Sequence, residues 1–186
     1  MNGISEVSSR MNSCFVIGHR PNRFYFQEQD MMCQKLKHRL EESIKHLYSE
    51  KNIRKVWIGG TVGIDTWAAE IVLALMKRPE YSDLELWLAI PFPEFGESFA
   101  LEQKKRYQRI LHECTNSVVI CRSFRPDAYK KRDYFMVDQS CYGIMVYDMD
   151  KSVRNELGIV FNYTTKKRKL PVLIIHPDTA DIVSES

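Results

Sequence analysis

The chain has 186 residues, which is enough for one domain with a buried core and without covalent cross-links. Its composition, 44% hydrophobic and 27% charged, is that of an ordinary globular protein and excludes the disordered and collagen-like classes. The formal net charge of +3 is too small to indicate a nucleic-acid partner, so nucleic acid is not expected as a ligand.

The five cysteines favour a reducing compartment. Their number is odd and no two have Cys-x-x-Cys spacing, so neither a disulfide framework nor a zinc site is indicated, and no metal is expected. Residues 1–12 are polar and lack the apolar segment of a secretion signal, which indicates a flexible leader. No apolar run approaches the roughly 20 residues that cross a membrane. We therefore expect a cytoplasmic protein without membrane contact.

Short apolar strands alternate with helical segments along the chain. The first strand, residues 14–17, ends at a glycine turn, and a helix follows over residues 28–50, where apolar residues recur at helical spacing. The alternation then continues with strands predicted at 56–58, 84–90, 117–120, 143–147 and 172–175, and helices at 64–76, 98–113, 129–139 and 154–168.

This alternation predicts an α/β fold: a Rossmann-like three-layer sandwich with a mainly parallel sheet of about six strands and helices on both faces. Residues 13–178 contain one hydrophobic pattern without a linker, so we predict a single domain followed by a tail at 179–186. Ligands bind beyond the carboxyl ends of such strands, where the strand order reverses. The residues just after each strand are therefore the site candidates.

Residues 59–65, Gly-Gly-Thr-Val-Gly-Ile-Asp, follow the second strand and are called the glycine loop here. Gly59, Gly60 and Gly63 allow the backbone to approach a ligand, and the next helix offers free N–H groups to phosphate. Thr61 adds a hydroxyl, while Asp65 is either part of the site or a residue that complements the helix dipole. The loop is neither a dinucleotide fingerprint nor a Walker loop, so an ordinary turn is the alternative.

Gly18, His19 and Arg20 follow the first strand, at the same predicted edge. Arg20 can pair with phosphate, and His19 can donate a hydrogen bond or act as an acid or base, although a surface turn explains them too. Phe92, after the third strand, is the candidate for a wall against a base.

Three later residues complete the candidates. Arg132 is expected to reach the ligand, and Asp148 ends the fifth strand. Glu156 is placed to attack the anomeric carbon of a nucleoside, although an acidic residue at a helix start is equally explained by the dipole.

Five segments occur in the order typical of one known family: Gly18–Pro21, the glycine loop with Trp67–Glu70, Pro91-Phe92, Met136–Asp138 and Tyr147-Asp148. On these segments, the chain from Cys14 to Ile175 resembles the YpsA family of the SLOG superfamily, which is named for Smf/DprA and LOG proteins. The resemblance implies a Rossmann-like fold and the sensing or processing of nucleotides or nucleotide-derived ligands. No cofactor is indicated beyond a nucleotide or an ADP-ribose-like ligand.

Two departures from the family pattern stand out. Arg132-Asp133 stands where the family often has Arg-Asn, which alters the charge beside a phosphate. Asn155–Gly158 stands where the family often has a Gly-Thr turn. It resembles instead the Glu-x-Gly of nucleoside deoxyribosyltransferases, whose Glu is a nucleophile, and Lys169–Val172 resembles the segment that follows.

Three hypotheses follow, and they leave open whether the protein is an enzyme. The first is a nucleotide-binding sensor or regulator, predicted to be a homodimer, that holds phosphate with the N–H groups of residues 60–63, Thr61 and Arg20. The second is an N-glycosidic hydrolase or transferase for nucleosides or their monophosphates, with Glu156 as nucleophile. The third is a basic module for an acidic partner, using Lys166–Lys169 or Lys104–Arg106.

Overall fold

The computed structural model describes residues 11–149 and 156–185, with the side chains of residues 156 and 185 left out. Strands and helices alternate throughout. The strands are β1 (Ser13–Gly18), β2 (Lys55–Ile58), β3 (Glu85–Ile90), β4 (Asn116–Val119), β5 (Tyr142–Val146), β6 (Val172–Ile175) and β7 (Ile182–Glu185). The helices are α1 (Met31–Glu50), α2 (Ile64–Met76), α3 (Leu101–Glu113), α4 (Ala128–Asp138) and α5 (Glu156–Asn162), with 3-10 turns at Pro21–Arg23 and Pro79–Tyr81.

The strands form a single sheet in the order β4-β3-β2-β1-β5-β6-β7. All neighbours from β4 to β6 are parallel, and β7 pairs antiparallel with β6. The predicted α/β class and parallel sheet are confirmed. The expected six strands are corrected to seven, because part of the predicted tail at 179–186 forms β7. This strand offers only Ile182 and Val183 as apolar residues, and it forms by pairing with the edge of β6.

Helices cover both faces of the sheet. Along β1, Cys14 and Val16 pack on one side with α1, α2 and α3, whereas Phe15 and Ile17 pack on the other with α4 and α5. Successive residues of a strand point to opposite faces of the sheet, so a nearly continuous apolar strand contributes to an apolar layer on each face. This three-layer arrangement places all the parallel strand ends, and the loops that follow them, at one edge of the molecule.

The last predicted helix, at 154–168, is helical in the described residues 156–167 and changes type within that range. Residues 154–155 lie outside the described part of the chain, and α5 passes at residue 163 into a π-helical turn, Tyr163–Lys167. In residues 11–149 and 156–185, no helix has both the length and the hydropathy that crossing a bilayer requires. All five cysteines are free thiols. Burial raises the pKa of the Cys14 thiol, which makes this side chain a small apolar filler.

Candidate ligand-binding cleft

A cleft of about 480 Å³ opens beside the carboxyl end of β1. Its walls come from the loop after β1, the glycine loop, and the first turns of α2, α4 and α5. The chain places β2 on one side of β1 and β5 on the other, so the strand order reverses here. This is the position at which α/β sheets bind ligands, and the volume is that of a small-molecule pocket.

The structure brings half of the sequence-predicted candidates into the lining of this cleft. They come from segments that are far apart along the chain, and they are Gly18, His19, Arg20, Thr61, Asp65 and Arg132. The lining also contains Asn22, Arg23, Tyr129, Asp133 and Leu157, which the sequence did not single out as ligand contacts. Tyr129 lies three residues before Arg132 in the same helix, so both are on one helix face. This spacing is the sequence signal that could have identified Tyr129 as a lining residue.

The glycines of the loop shape the cleft without lining it. Gly60 and Gly63 have φ angles of +75° and +102°, which residues with a side chain rarely adopt. Gly63 is also the N-cap residue of α2. Gly59 has a different role, because a Cβ there would lie 2.6 Å from Cζ of Arg132. The missing side chain of Gly59 therefore makes room for an arginine of the protein itself.

Arg132 lies beneath the glycine loop and is only 4% exposed. Its Nη1 donates to the Gly59 carbonyl at 3.1 Å and to Oγ1 of Thr61 at 2.7 Å. Its Nε and Nη2 donate to Oδ1 of Asp133 at 2.9 and 2.6 Å. Burial opposes the charge of Arg132, but Asp133 and Asp65 outweigh it, so the Arg132 pKa lies above its ordinary value. Arg132 thereby ties α4 to the glycine loop.

Asp65, Arg132 and Asp133 together form what we call the cleft floor. Asp65 is 3% exposed, and its Oδ2 accepts the backbone N–H of Thr61 at 3.0 Å. Burial raises the pKa of Asp65 to about 6, against the opposing effects of Arg132 and of the Thr61 hydrogen bonds. A buried carboxyl that titrates near neutrality in a cleft is typical of functional sites.

The rim of the cleft carries Arg20 and Tyr129. Arg20 is exposed, and its guanidinium lies 5.4 Å from the centre of the Tyr129 ring. The structure places Phe92 elsewhere: it is buried among aromatic rings that include Phe95, and it contacts Tyr129 edge-on from behind. The ring that lines the cleft is therefore that of Tyr129, and Phe92 supports it.

His19 is buried and neutral at physiological pH. Burial and Arg23 lower its pKa to about 4, although Asp148 and Asp178 act in the opposite direction. Its Nε2 accepts the backbone N–H of Asp148 at 3.2 Å, which joins the ends of β1 and β5. His19 thus holds the cleft together and does not supply positive charge to it.

Arg23 joins the loop after β1 to two carboxylates on the far side of the cleft mouth. Its Nη2 lies 2.7 Å from Oδ2 of Asp148 and 2.8 Å from Oδ2 of Asp178. Asp148, His176 and Asp178 each offer one atom that could coordinate a metal ion, and these atoms lie within 4.8 Å of one another. The Arg23 guanidinium pairs with both carboxylates, so Asp148 belongs to an ion pair at the mouth of the cleft and does not line the cleft itself.

The remaining candidates are Glu156 and the basic stretches. Glu156 begins α5, and its side chain lies outside the described residues, so its predicted role stays a prediction. The next residue, Leu157, lines the cleft. Among the basic stretches, Lys166 and Lys167 are exposed, whereas Arg106 pairs with acidic side chains of this chain.

Relatives of known sequence match most of the chain. The model of the YspA SLOG family matches residues 14–180. The UPF0398 protein of Staphylococcus haemolyticus is 32% identical over 117 residues, 60% of this chain and 62% of that protein. The Staphylococcus epidermidis protein is 30% identical over 115 residues, 61% and 60% of the two chains. The match thus spans about 60% of the length of these relatives. The Bacillus thuringiensis protein is 26% identical over 148 residues, 74% and 76%.

Two solved structures share the fold. DNA processing protein A from Helicobacter pylori, described for its single-stranded DNA binding mode, has a TM-score of 0.56 and 16% identity, over 98% of this chain and 71% of that chain. DNA processing protein A from Streptococcus pneumoniae has a TM-score of 0.56 and 15% identity, over 93% of this chain and 52% of that one. At these identities the likeness concerns the fold alone.

Proposed function

This chain belongs to the YspA SLOG family, and from that premise we propose that its cleft binds a nucleotide or a nucleotide-derived ligand in a sensing or regulatory role. The observation that supports the proposal most is the composition of the cleft at the point where the strand order reverses. An exposed guanidinium and an aromatic ring stand at its rim, above a buried floor of two carboxyl groups and one arginine.

Each part of this lining suits one part of a nucleotide. The planar donors of Arg20 match phosphate oxygens. The ring of Tyr129 offers an apolar wall to a base. The Thr61 hydroxyl and the Asp65 carboxyl offer hydrogen-bonding groups to a sugar. Since Arg20 and Tyr129 approach from different elements, the fold must form before the cleft can bind.

Isothermal titration calorimetry tests the proposal. The wild type is titrated with nucleosides, their mono-, di- and triphosphates, and ADP-ribose. We expect at least one of them to bind, and Arg20→Ala and Tyr129→Ala each to weaken binding at least about tenfold. Arg122→Ala is the matched control, because Arg122 is exposed and does not line the cleft. Unchanged affinity in both cleft variants would place the ligand elsewhere.

A second candidate is the cleavage of an N-glycosidic bond, favoured by the position of Leu157 in the cleft lining beside Glu156. In this reaction the Glu156 carboxylate bonds to C1′ as the base departs, and water then releases the sugar and restores the carboxylate. The base takes up a proton. Chromatography of nucleosides and nucleoside monophosphates incubated with the protein tests it: wild type and Glu113→Gln should release free base, and Glu156→Gln should not.

Single-stranded DNA is the competing ligand, since one structural neighbour binds it. Fluorescence anisotropy with a labelled oligonucleotide separates the two cases. Salt-dependent binding that is lost in a Lys166→Ala, Lys167→Ala double variant but retained in Arg20→Ala would favour the basic module. Sedimentation of the same samples measures the oligomeric state and so tests the predicted homodimer.

A further inference from the structure

The glycine loop already holds a carboxylate where a phosphate would be expected. Free N–H groups at a helix start attract anions. In this chain Asp65 lies in the first turn of α2, and its Oδ2 accepts the N–H of Thr61 at 3.0 Å. Asp133 adds a second carboxylate, which accepts hydrogen bonds from Arg132. The floor therefore has two acidic groups and one basic group, each less than a tenth exposed.

The arginine of the floor cannot act as a phosphate clamp. A guanidinium has five N–H donors. Arg132 uses four of them within the protein, two toward Asp133, one toward the Gly59 carbonyl and one toward Thr61. A phosphate dianion at the floor would face two carboxylates, and Arg132 has at most one N–H left to offset their repulsion, which is unfavourable in a poorly solvated site.

The same floor suits a group that donates hydrogen bonds. Asp65 lines the cleft, and a carboxylate accepts hydrogen bonds from hydroxyl groups. The ribose of a nucleotide carries two adjacent hydroxyls, whereas the basic group at the rim, Arg20, is the one that suits phosphate. The floor thus suits the sugar of a nucleotide, and the rim suits the phosphate of the same nucleotide.

We propose that Asp65 recognises the hydroxyl-bearing ribose of the ligand, with the phosphate directed outward to Arg20, an assignment that rests on the proposed function. The glycine loop then determines specificity for ribonucleotides and contributes little to phosphate binding. Additional phosphates extend from the rim toward solvent. Mono- and triphosphates of one nucleoside therefore bind with affinities within about tenfold of each other.

Calorimetry with the four ribonucleoside 5′-monophosphates, their 2′,3′-dideoxy counterparts and inorganic phosphate tests this assignment. For wild type, loss of the two hydroxyls weakens binding at least about tenfold, and inorganic phosphate alone binds no tighter than the dideoxy compounds. Asp65→Asn keeps the acceptor for Thr61 and weakens ribonucleotides by a similar factor, while dideoxy binding stays within about twofold. Asp138→Asn, at a carboxylate outside the cleft, leaves all affinities unchanged.

The outcomes separate the two proposals. If none of the nucleotides in either panel binds, the proposed function fails and the assignment of Asp65 fails with it. If nucleotides bind in the cleft but wild type does not distinguish ribose from dideoxyribose, the proposed function stands and the assignment is overturned. The comparison of the two sugars uses wild-type protein, so it remains decisive even if a variant is poorly folded.

Discussion

Two arginine networks adjoin the glycine loop, and they differ in burial. In the cleft floor, the side chain of Arg132 is 5% exposed. In the other network, the side chain of Arg106 is 23% exposed and lies 2.7 Å from carboxylate oxygens of both Glu28 and Glu70. Arg106 also lines a second, smaller pocket beside Gly63. Each network joins separate elements through one arginine and two carboxylates. The two networks therefore contain the same chemical groups and differ in their exposure to solvent.

The carboxyl groups of the two networks respond in opposite directions. The hydrogen bonds from Arg106, aided by Lys37, lower the pKa of Glu28 to about 2 although burial opposes them. Burial raises the pKa of Asp65 to about 6 although Arg132 is close. Ion pairing therefore determines the direction of the pKa shift in the network that water still reaches, and desolvation determines it in the buried network. The Arg106 network stabilises the fold, whereas the floor keeps an energetically costly charge in a cleft, as functional sites do.

The largest difference between the networks is expected when each arginine is replaced. Arg132→Met leaves Asp65 and Asp133 buried without their cation, which should lower the free energy of unfolding by about 3–5 kcal/mol. Arg106→Met leaves Glu28 with Lys37 and Glu70 with Arg109, so a loss of about 1 kcal/mol or less is expected. Urea denaturation near pH 7.5 measures both. Equal losses would refute the contrast.

Asp65→Asn is expected to stabilise the protein. The raised Asp65 pKa means that the unfolded chain releases this proton first, so stability is lost as pH rises from about 4 to about 6. Asparagine avoids that loss, which corresponds to a gain on the order of 3 kcal/mol near pH 7.5. Urea midpoints of variant and wild type should coincide near pH 4 and diverge above it. Only their difference is informative, because buried His19 contributes the opposite slope.

Gly59→Ala should damage the floor by displacing its arginine. The new Cβ would lie 2.6 Å from Cζ of Arg132, so the guanidinium must move away from the Gly59 carbonyl. We expect a loss of about 1–3 kcal/mol in the free energy of unfolding. In the Arg132→Met background the same substitution should cost much less, since the side chain that it overlaps is absent. An undiminished cost in that double variant would contradict this explanation.

The smallest effect is expected for Glu28→Gln in the exposed network. About a third of the Glu28 side chain is exposed, so solvent screening limits the loss near pH 7.5 to about 1 kcal/mol or less. Since the Glu28 pKa is lowered, its stabilisation is present above about pH 4.5 and is lost as pH falls toward 2. The urea midpoints of variant and wild type should therefore converge at acid pH. This trend is opposite to that expected for Asp65→Asn.

The fold was largely predictable from sequence, whereas the division of roles within the site was not. Apolar runs such as 14–17 and 172–175 located the parallel strands because buried strands are marked by local composition. The position of the glycine loop followed from the same alternation. The contact between Gly59 and Arg132 could not be predicted, since it joins residues 73 positions apart. Nor could burial, which decides the pKa of Asp65.

The bonds of Arg23 across the mouth of the cleft have a consequence for the order of assembly. Arg23 binds Asp148 and Asp178, which lie 125 and 155 residues further along the chain. Closing such long loops costs conformational entropy before the contact is gained, so we expect the folding transition state to contain few contacts of this kind. Replacing Arg23 should therefore accelerate unfolding more than it slows folding. We therefore expect the mouth of the cleft to form late in folding and to open early in unfolding.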